Sequence, residues 1–108
     1  GFCSKLQEQC FAIIGMGLIG GSYAKALRRL GVKNITGVDV NKNVLQQALA
    51  DGVIDRAYKN TGAYLAEADV IICCIYPKAV TEFLRQAAPF IKKGAVITDV
   101  SAERQPAL

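Results

Sequence analysis

The chain has 108 residues and a mass of 11.6 kDa, with 52% hydrophobic and 20% charged residues, which describes one globular domain and excludes both a two-domain protein and a disordered chain. The net charge of +4 comes from basic residues scattered along the sequence, apart from the Arg28-Arg29 and Lys92-Lys93 pairs, so no nucleic-acid-binding surface is expected. Histidine is absent, which removes the commonest general acid–base and metal ligand, and no metal site is expected.

Short apolar runs alternate with helical patterns, the signature of β-α-β units around a parallel sheet. Cys10-Phe11-Ala12-Ile13-Ile14 is a continuous apolar run of the kind buried on both faces, and it stops at Gly15. Helical spacing takes over across residues 20–30, with Tyr23, Ala26, Leu27 and Leu30 expected on the inner face and Lys25, Arg28 and Arg29 on the outer one. Gly31 ends that helix as a C-terminal cap. Residues 34–40 read as a second strand carrying Asp39 near its end. A second helix is expected over residues 42–51, with Val44, Leu45, Ala48 and Leu49 inward and Gly52 closing it. Then follow a short strand within residues 53–59, a short helix over 61–68 and a strand over 70–75. Pro77 suits the first turn of a helix running to residue 88, and Lys93-Gly94 turns the chain into a last strand over 95–99. Five strands and four helices in alternation predict an α/β fold, a Rossmann-type doubly wound parallel sheet ordered 3-2-1-4-5.

The cysteines, Cys3, Cys10, Cys73 and Cys74, form no C-x-x-C and read as small buried hydrophobes in a reducing cytoplasm. The uncharged stretch over residues 9–24 is 16 residues long, too short and too glycine-rich for a membrane span. Lys5 ahead of an apolar run faintly resembles a signal peptide, and Glu8 and the glycines argue against one.

The segment that carries chemistry is Gly15-Met16-Gly17-Leu18-Ile19-Gly20, a G-x-G-x-x-G that follows a buried strand and opens a helix. Gly15 permits the tight turn out of the strand, Gly17 leaves room for a pyrophosphate against the backbone, and Gly20 lets the helix pack closely on the sheet. Unpaired N–H groups of the first helical turn, including those of Leu18 and Ile19, then face the phosphates, and the helix dipole favours their charge. Asp39 lies 19 residues after Gly20, where a carboxylate accepts hydrogen bonds from the adenosine ribose hydroxyls. A 2′-phosphate would meet a like charge there, so NAD is expected over NADP, with Lys42 the residue that works against the preference. The alternative for Asp39 is a plain end-of-strand turn residue. Ile75-Tyr76-Pro77, at the carboxyl end of the fourth strand, is expected to line the cofactor crevice, and Asp99-Val100-Ser101 to lie near the nicotinamide, with Ser101 read as a helix cap.

These residues resemble the N-terminal, cofactor-binding domain of prephenate dehydrogenases and the similar arogenate dehydrogenases. The resemblance covers nearly all of residues 10–101. Its carriers are the run from Ile13 to Gly20 with Gly21-Ser22, then Gly37-Val38-Asp39, Gly52-Val53-Ile54-Asp55, Ala68-Asp69-Val70-Ile71, Tyr76-Pro77 and Ile97-Thr98-Asp99-Val100. It implies a parent enzyme that oxidatively decarboxylates prephenate or arogenate, passing hydride to the nicotinamide and releasing CO2. It also implies that the family's catalytic histidine, substrate-binding arginine and helical dimerisation domain belong to further chain, so that the 108 residues are a Rossmann domain of a longer homodimeric, cytoplasmic enzyme. The chain departs from the family after Asp99-Val100, where Ala102 and Arg104 stand at the positions of a serine and a lysine. No catalytic residue is therefore assigned within it. Binding of NAD without turnover of prephenate is expected. The rival readings are another reductase, such as a pyrroline-5-carboxylate reductase relative, and a non-catalytic nucleotide sensor.

Overall fold

The computed structural model describes residues 2–100, with side chains from Lys5 onward; Ser101, Ala102 and Arg104 lie outside the described residues, as does the Cys3 side chain. Strand β1 (Cys10–Ile14) runs through the middle of a five-stranded parallel sheet. On one side it pairs with β2 (Asn34–Val38), which pairs in turn with β3 (Arg56–Tyr58). On the other it pairs with β4 (Val70–Cys73) and then comes β5 (Val96–Asp99). The resulting order, β3-β2-β1-β4-β5, is the one predicted, and it reverses direction between β1 and β4.

Alternation along β1 divides the core into two layers. Phe11 and Ile13 point into a cluster with Leu27, Val32, Ile35 and Leu45, under helices α2 (Leu18–Arg29) and α3 (Lys42–Ala50). Ala12 and Ile14 point the other way, toward Leu65, Ile71, Val80 and Phe83, under α4 (Pro77–Ala87) and a 3-10 helix at Ala63–Glu67. Both α2 and α3 end in glycines with positive φ, Gly31 at 89° and Gly52 at 73°. In each, the following residue donates back into the last turn, Val32 to the Leu27 carbonyl and Val53 to the Ala48 carbonyl, both at 3.1 Å.

Several expectations are corrected. The buried face of α2 is Gly20, Ala24 and Leu27, whereas Tyr23, Ala26 and Leu30 are exposed. The helix carries two apolar stripes, and the one with small residues wins because it allows the closer approach to the sheet. Arg28 is likewise half-buried rather than solvated: its guanidinium donates to the Gly52 and Val32 carbonyls and pairs with Asp55 at 3.1 Å. Leu49 of α3 is exposed. The helix expected over residues 61–68 is the shorter 3-10 turn, closed by i→i+3 bonds from Leu65 to Gly62 and from Ala68 to Leu65. The strand within 53–59 shrinks to three residues, and the second and fourth strands stop at Val38 and Cys73. A further helix, α1 (Phe2–Glu8), precedes β1, and Gln7 on it donates to the Leu30 carbonyl.

Candidate functional site

The turn between β1 and α2 is built by its glycines. Gly15 has φ 92°, and a Cβ there would lie 2.7 Å from Ile75 Cγ2 and 2.8 Å from the Cys74 carbonyl oxygen, so this position excludes a side chain both by conformation and by space. Its N–H donates to the Val38 carbonyl at 2.7 Å. Gly20 stands even closer to its surroundings, since a Cβ would come within 1.8 Å of the Gly15 carbonyl oxygen. Gly17 is different: nothing lies within 4 Å of where its Cβ would be. It caps α2 without a side-chain hydrogen bond, and the first amide to find a helical partner is that of Gly21, donating to the Gly17 carbonyl at 2.8 Å. The N–H groups of Leu18, Ile19 and Gly20 are therefore those of an uncapped first turn, and the open space lies over Gly17 that precedes them.

Met16 anchors this turn downward. Its side chain is buried, and it lies against Gly37, where a Cβ would meet Met16 Cγ at 3.0 Å and Ile54 Cδ1 at 2.9 Å. Its N–H donates to Asp39 Oδ2 at 2.8 Å. The other carboxylate oxygen of Asp39 accepts from the Asn41 N–H at 2.8 Å, and Asn41 Oδ1 in turn caps α3 through the Asn43 and Val44 N–H groups. Asp39 thus ties the glycine turn to the start of α3. This structural task belongs to the turn-residue alternative, yet one bond per oxygen leaves each with further accepting capacity.

Beside the turn, at the carboxyl ends of β1 and β2, opens a cleft of about 430 Å³. Gly15, Asp39 and Ile75 line it, joined by Val40, by Lys59, Asn60 and Thr61 after β3, and by Ala79, Glu82, Phe83 and Gln86 on α4. Of the sequence-predicted residues, Gly15, Asp39 and Ile75 therefore meet in the cleft. Gly17 and Leu18 border a second groove of about 350 Å³ between α2 and α3, and Leu18 is 91% exposed. Tyr76 is the N-cap of α4 and exposed, with Pro77 at the first helical position. The α4 wall and residues 59–61 were not singled out from sequence, because their place in the cleft depends on how the chain returns across the sheet. Only the position of Ile75-Tyr76-Pro77 at the head of α4 hinted at that wall.

The two cysteines at the end of β4 are held in the neutral form. Burial, with Asp99 and Cys74 nearby, pushes the Cys73 thiol up to about 12, and burial pushes Cys74 up to about 11. Both stay protonated and unreactive at neutral pH. Among the described residues no cluster of three or more His, Cys, Asp or Glu side chains could hold a metal ion, and no helix is long and apolar enough to cross a membrane.

Residues 23–106 match the family described as prephenate dehydrogenase, nucleotide-binding domain. The structure is similar to that of prephenate dehydrogenase from A. aeolicus in complex with hydroxyphenyl propionate and NAD+, with a TM-score of 0.80 and 28% identity, covering 87% of this chain and 34% of that one. It is also similar to Synechocystis arogenate dehydrogenase, with a TM-score of 0.76 and 29% identity over 83% of this chain and 32% of that one. In sequence it is 35% identical over 96 residues to the NADP(+) ketol-acid reductoisomerase of Pyrobaculum islandicum, covering 85% of this chain and 27% of that protein. The chain thus spans 27–34% of the length of these relatives.

Proposed function

The chain belongs to the prephenate dehydrogenase nucleotide-binding-domain family, and from that premise we propose that it binds NAD+ as the cofactor domain of an enzyme that oxidatively decarboxylates prephenate or arogenate. The observation that carries the reading is the open space over Gly17 next to the unpaired first-turn amides of α2. A diphosphate suits that space, because backbone N–H groups and the positive end of the helix meet it without a side chain in between. In this reading Gly15 makes the turn, Gly17, Leu18, Ile19 and Gly20 receive the diphosphate, and Asp39 uses its remaining acceptor sites on the adenosine ribose. Ile75, Tyr76 and Pro77 border the dinucleotide on the α4 side. The bound nicotinamide supplies a hydride acceptor; the protein's part is to hold and orient it.

A carboxylate at the ribose also sets the choice of cofactor. Placing a 2′-phosphate beside Asp39 adds like-charge repulsion and forfeits a hydrogen bond, together about 1–3 kcal/mol. Calorimetric titration with both cofactors tests this: NAD+ is expected to bind in the range of about 1 μM to 1 mM and more tightly than NADP+. Equal or tighter binding of NADP+ would overturn the assignment.

With no histidine in its 108 residues, the chain has no imidazole to accept a proton from a substrate hydroxyl. It is expected to bind NAD+ without forming NADH from prephenate. Homodimerisation and contact with the small-molecule substrate belong, in this reading, to further chain. A reducing cytoplasm suits the free thiols of Cys10, Cys73 and Cys74.

A further inference from the structure

Outside the glycine turn, a pair of tyrosines lies beside the cleft without lining it. Tyr58, the last residue of β3, and Tyr64, on the 3-10 helix, stack with ring centroids 3.8 Å apart and planes within 6°. Between them in sequence run Lys59, Asn60 and Thr61, the cleft wall that faces α4. The Tyr64 hydroxyl donates to the Asn60 carbonyl at 2.7 Å, and the Tyr58 carbonyl accepts the Asp39 N–H at 3.1 Å. The stacked pair therefore holds the connection between them as a closed loop, and the main chain of Tyr58 at its start is bonded to that of Asp39.

We propose that Tyr64 is a positioning residue for the adenosine half of the dinucleotide, its ring stacked on Tyr58 and its hydroxyl on the Asn60 carbonyl setting the cleft wall formed by residues 59–61. This rests on the dinucleotide reading and adds the residue that determines the width of the adenosine side. The chemistry fits the task. Burial, and to a smaller extent Tyr58 beside it, pushes the Tyr64 phenol up to about 12, so the hydroxyl remains a donor at neutral pH. A loop fixed beforehand loses less conformational freedom when ligand binds, which is how a residue outside the contact surface raises affinity.

Tyr64→Phe keeps the stacked ring and removes only the hydroxyl. It is expected to raise the dissociation constants of NAD+ and ADP-ribose alike by about three- to ten-fold, the worth of one hydrogen bond. Backbone order parameters measured by NMR are expected to fall at residues 59–61 and to hold at residues 18–20. Tyr64→Leu, which removes the stack too, is expected to weaken both ligands further; should it fail to fold, Tyr64→Phe carries the test alone. Unchanged affinity in Tyr64→Phe, or a fall in order spread over the whole chain, would overturn the inference and leave Tyr64 a packing residue. Failure of the wild-type chain to bind either ligand would overturn the dinucleotide reading itself, and this inference with it.

Discussion

A methyl group added at Gly20 and one added at Gly17 have opposite expected consequences, although the two glycines are three residues apart. At Gly20 the new carbon would fall 1.8 Å from a backbone oxygen, so α2 must shift away from β1. Gly20→Ala is expected to lower the unfolding free energy by about 1–3 kcal/mol or more, read as a lower urea midpoint. At Gly17 the carbon enters open space from φ −67°, outside the left-handed region that side chains avoid. Gly17→Ala is expected to leave stability within about 0.5 kcal/mol of wild type while weakening NAD+ in calorimetry, because the methyl occupies the room a diphosphate needs. Loss of stability without loss of binding at Gly17 would show the space to be structural. The spacing of these glycines was legible in the sequence because one local turn imposes it. What was not legible is Gly37, whose bare backbone accommodates Met16, and the bond from the Met16 N–H to Asp39. Both join segments more than 20 residues apart, and a local pattern carries no trace of such a contact.

The acidic residues that mark the resemblance divide by which end of the sheet they occupy. Asp39 sits at the carboxyl end of β2, where the cleft opens. Asp55 and Asp69 sit at the opposite, amino end of the strands. Asp55 Oδ2 accepts the Ile35 N–H at 2.8 Å at the start of β2, and Asp69 Oδ2 accepts the Cys10 N–H at 2.7 Å at the start of β1. Asp69 also pairs with Lys92, on the turn before β5. These two acids are strand clasps, a structural task rather than a chemical one. The backbone N–H of Cys10, followed by Lys92, holds the Asp69 carboxyl below its ordinary value of 3.8. A depressed folded-state pKa contributes stability that is present above the unfolded value and lost as pH falls through the folded one. Unfolding free energy is therefore expected to decline as pH drops below about 4, and Asp69→Asn, which keeps an acceptor for Cys10 but cannot titrate, is expected to flatten that decline. An acid limb unaltered by the substitution would assign the loss to other carboxylates. The five strands and their order were readable from alternating apolar runs, but α1, the 3-10 form of the turn before β4 and the helix faces were not. On α2 the sequence offers Tyr23 and Leu30 as readily as Gly20 and Ala24, and only the close sheet decides for the smaller pair.

At the scale of the molecule, the two edges of the sheet are unequal. The β3 edge is three residues long and opens with Arg56, a short and charged edge of the kind that resists pairing with another chain. The β5 edge carries all four of its residues exposed, among them Val96 at 56% and Ile97 at 41%, with neither lysine nor proline to blunt it. Strands of parallel sheets are ordinarily covered on both faces, and every residue of β5 is exposed. An exposed edge strand carrying Val96 and Ile97 is a template for the same edge of a second molecule, so the 108-residue chain is expected to self-associate with rising concentration, measured by light scattering. Val96→Lys puts a charge into that edge and is expected to shift the population to monomer. Val96 opens β5 at the end of the sheet away from the cleft, so NAD+ affinity is expected to be unchanged in the variant. A wild-type chain that stays monomeric at high concentration, or a Val96→Lys variant that associates as before, would mean that something other than another β5 satisfies this edge. Loss of NAD+ affinity with Val96→Lys would instead tie the far side of the sheet to the binding cleft, a coupling for which the two core layers meeting at β1 offer a physical route.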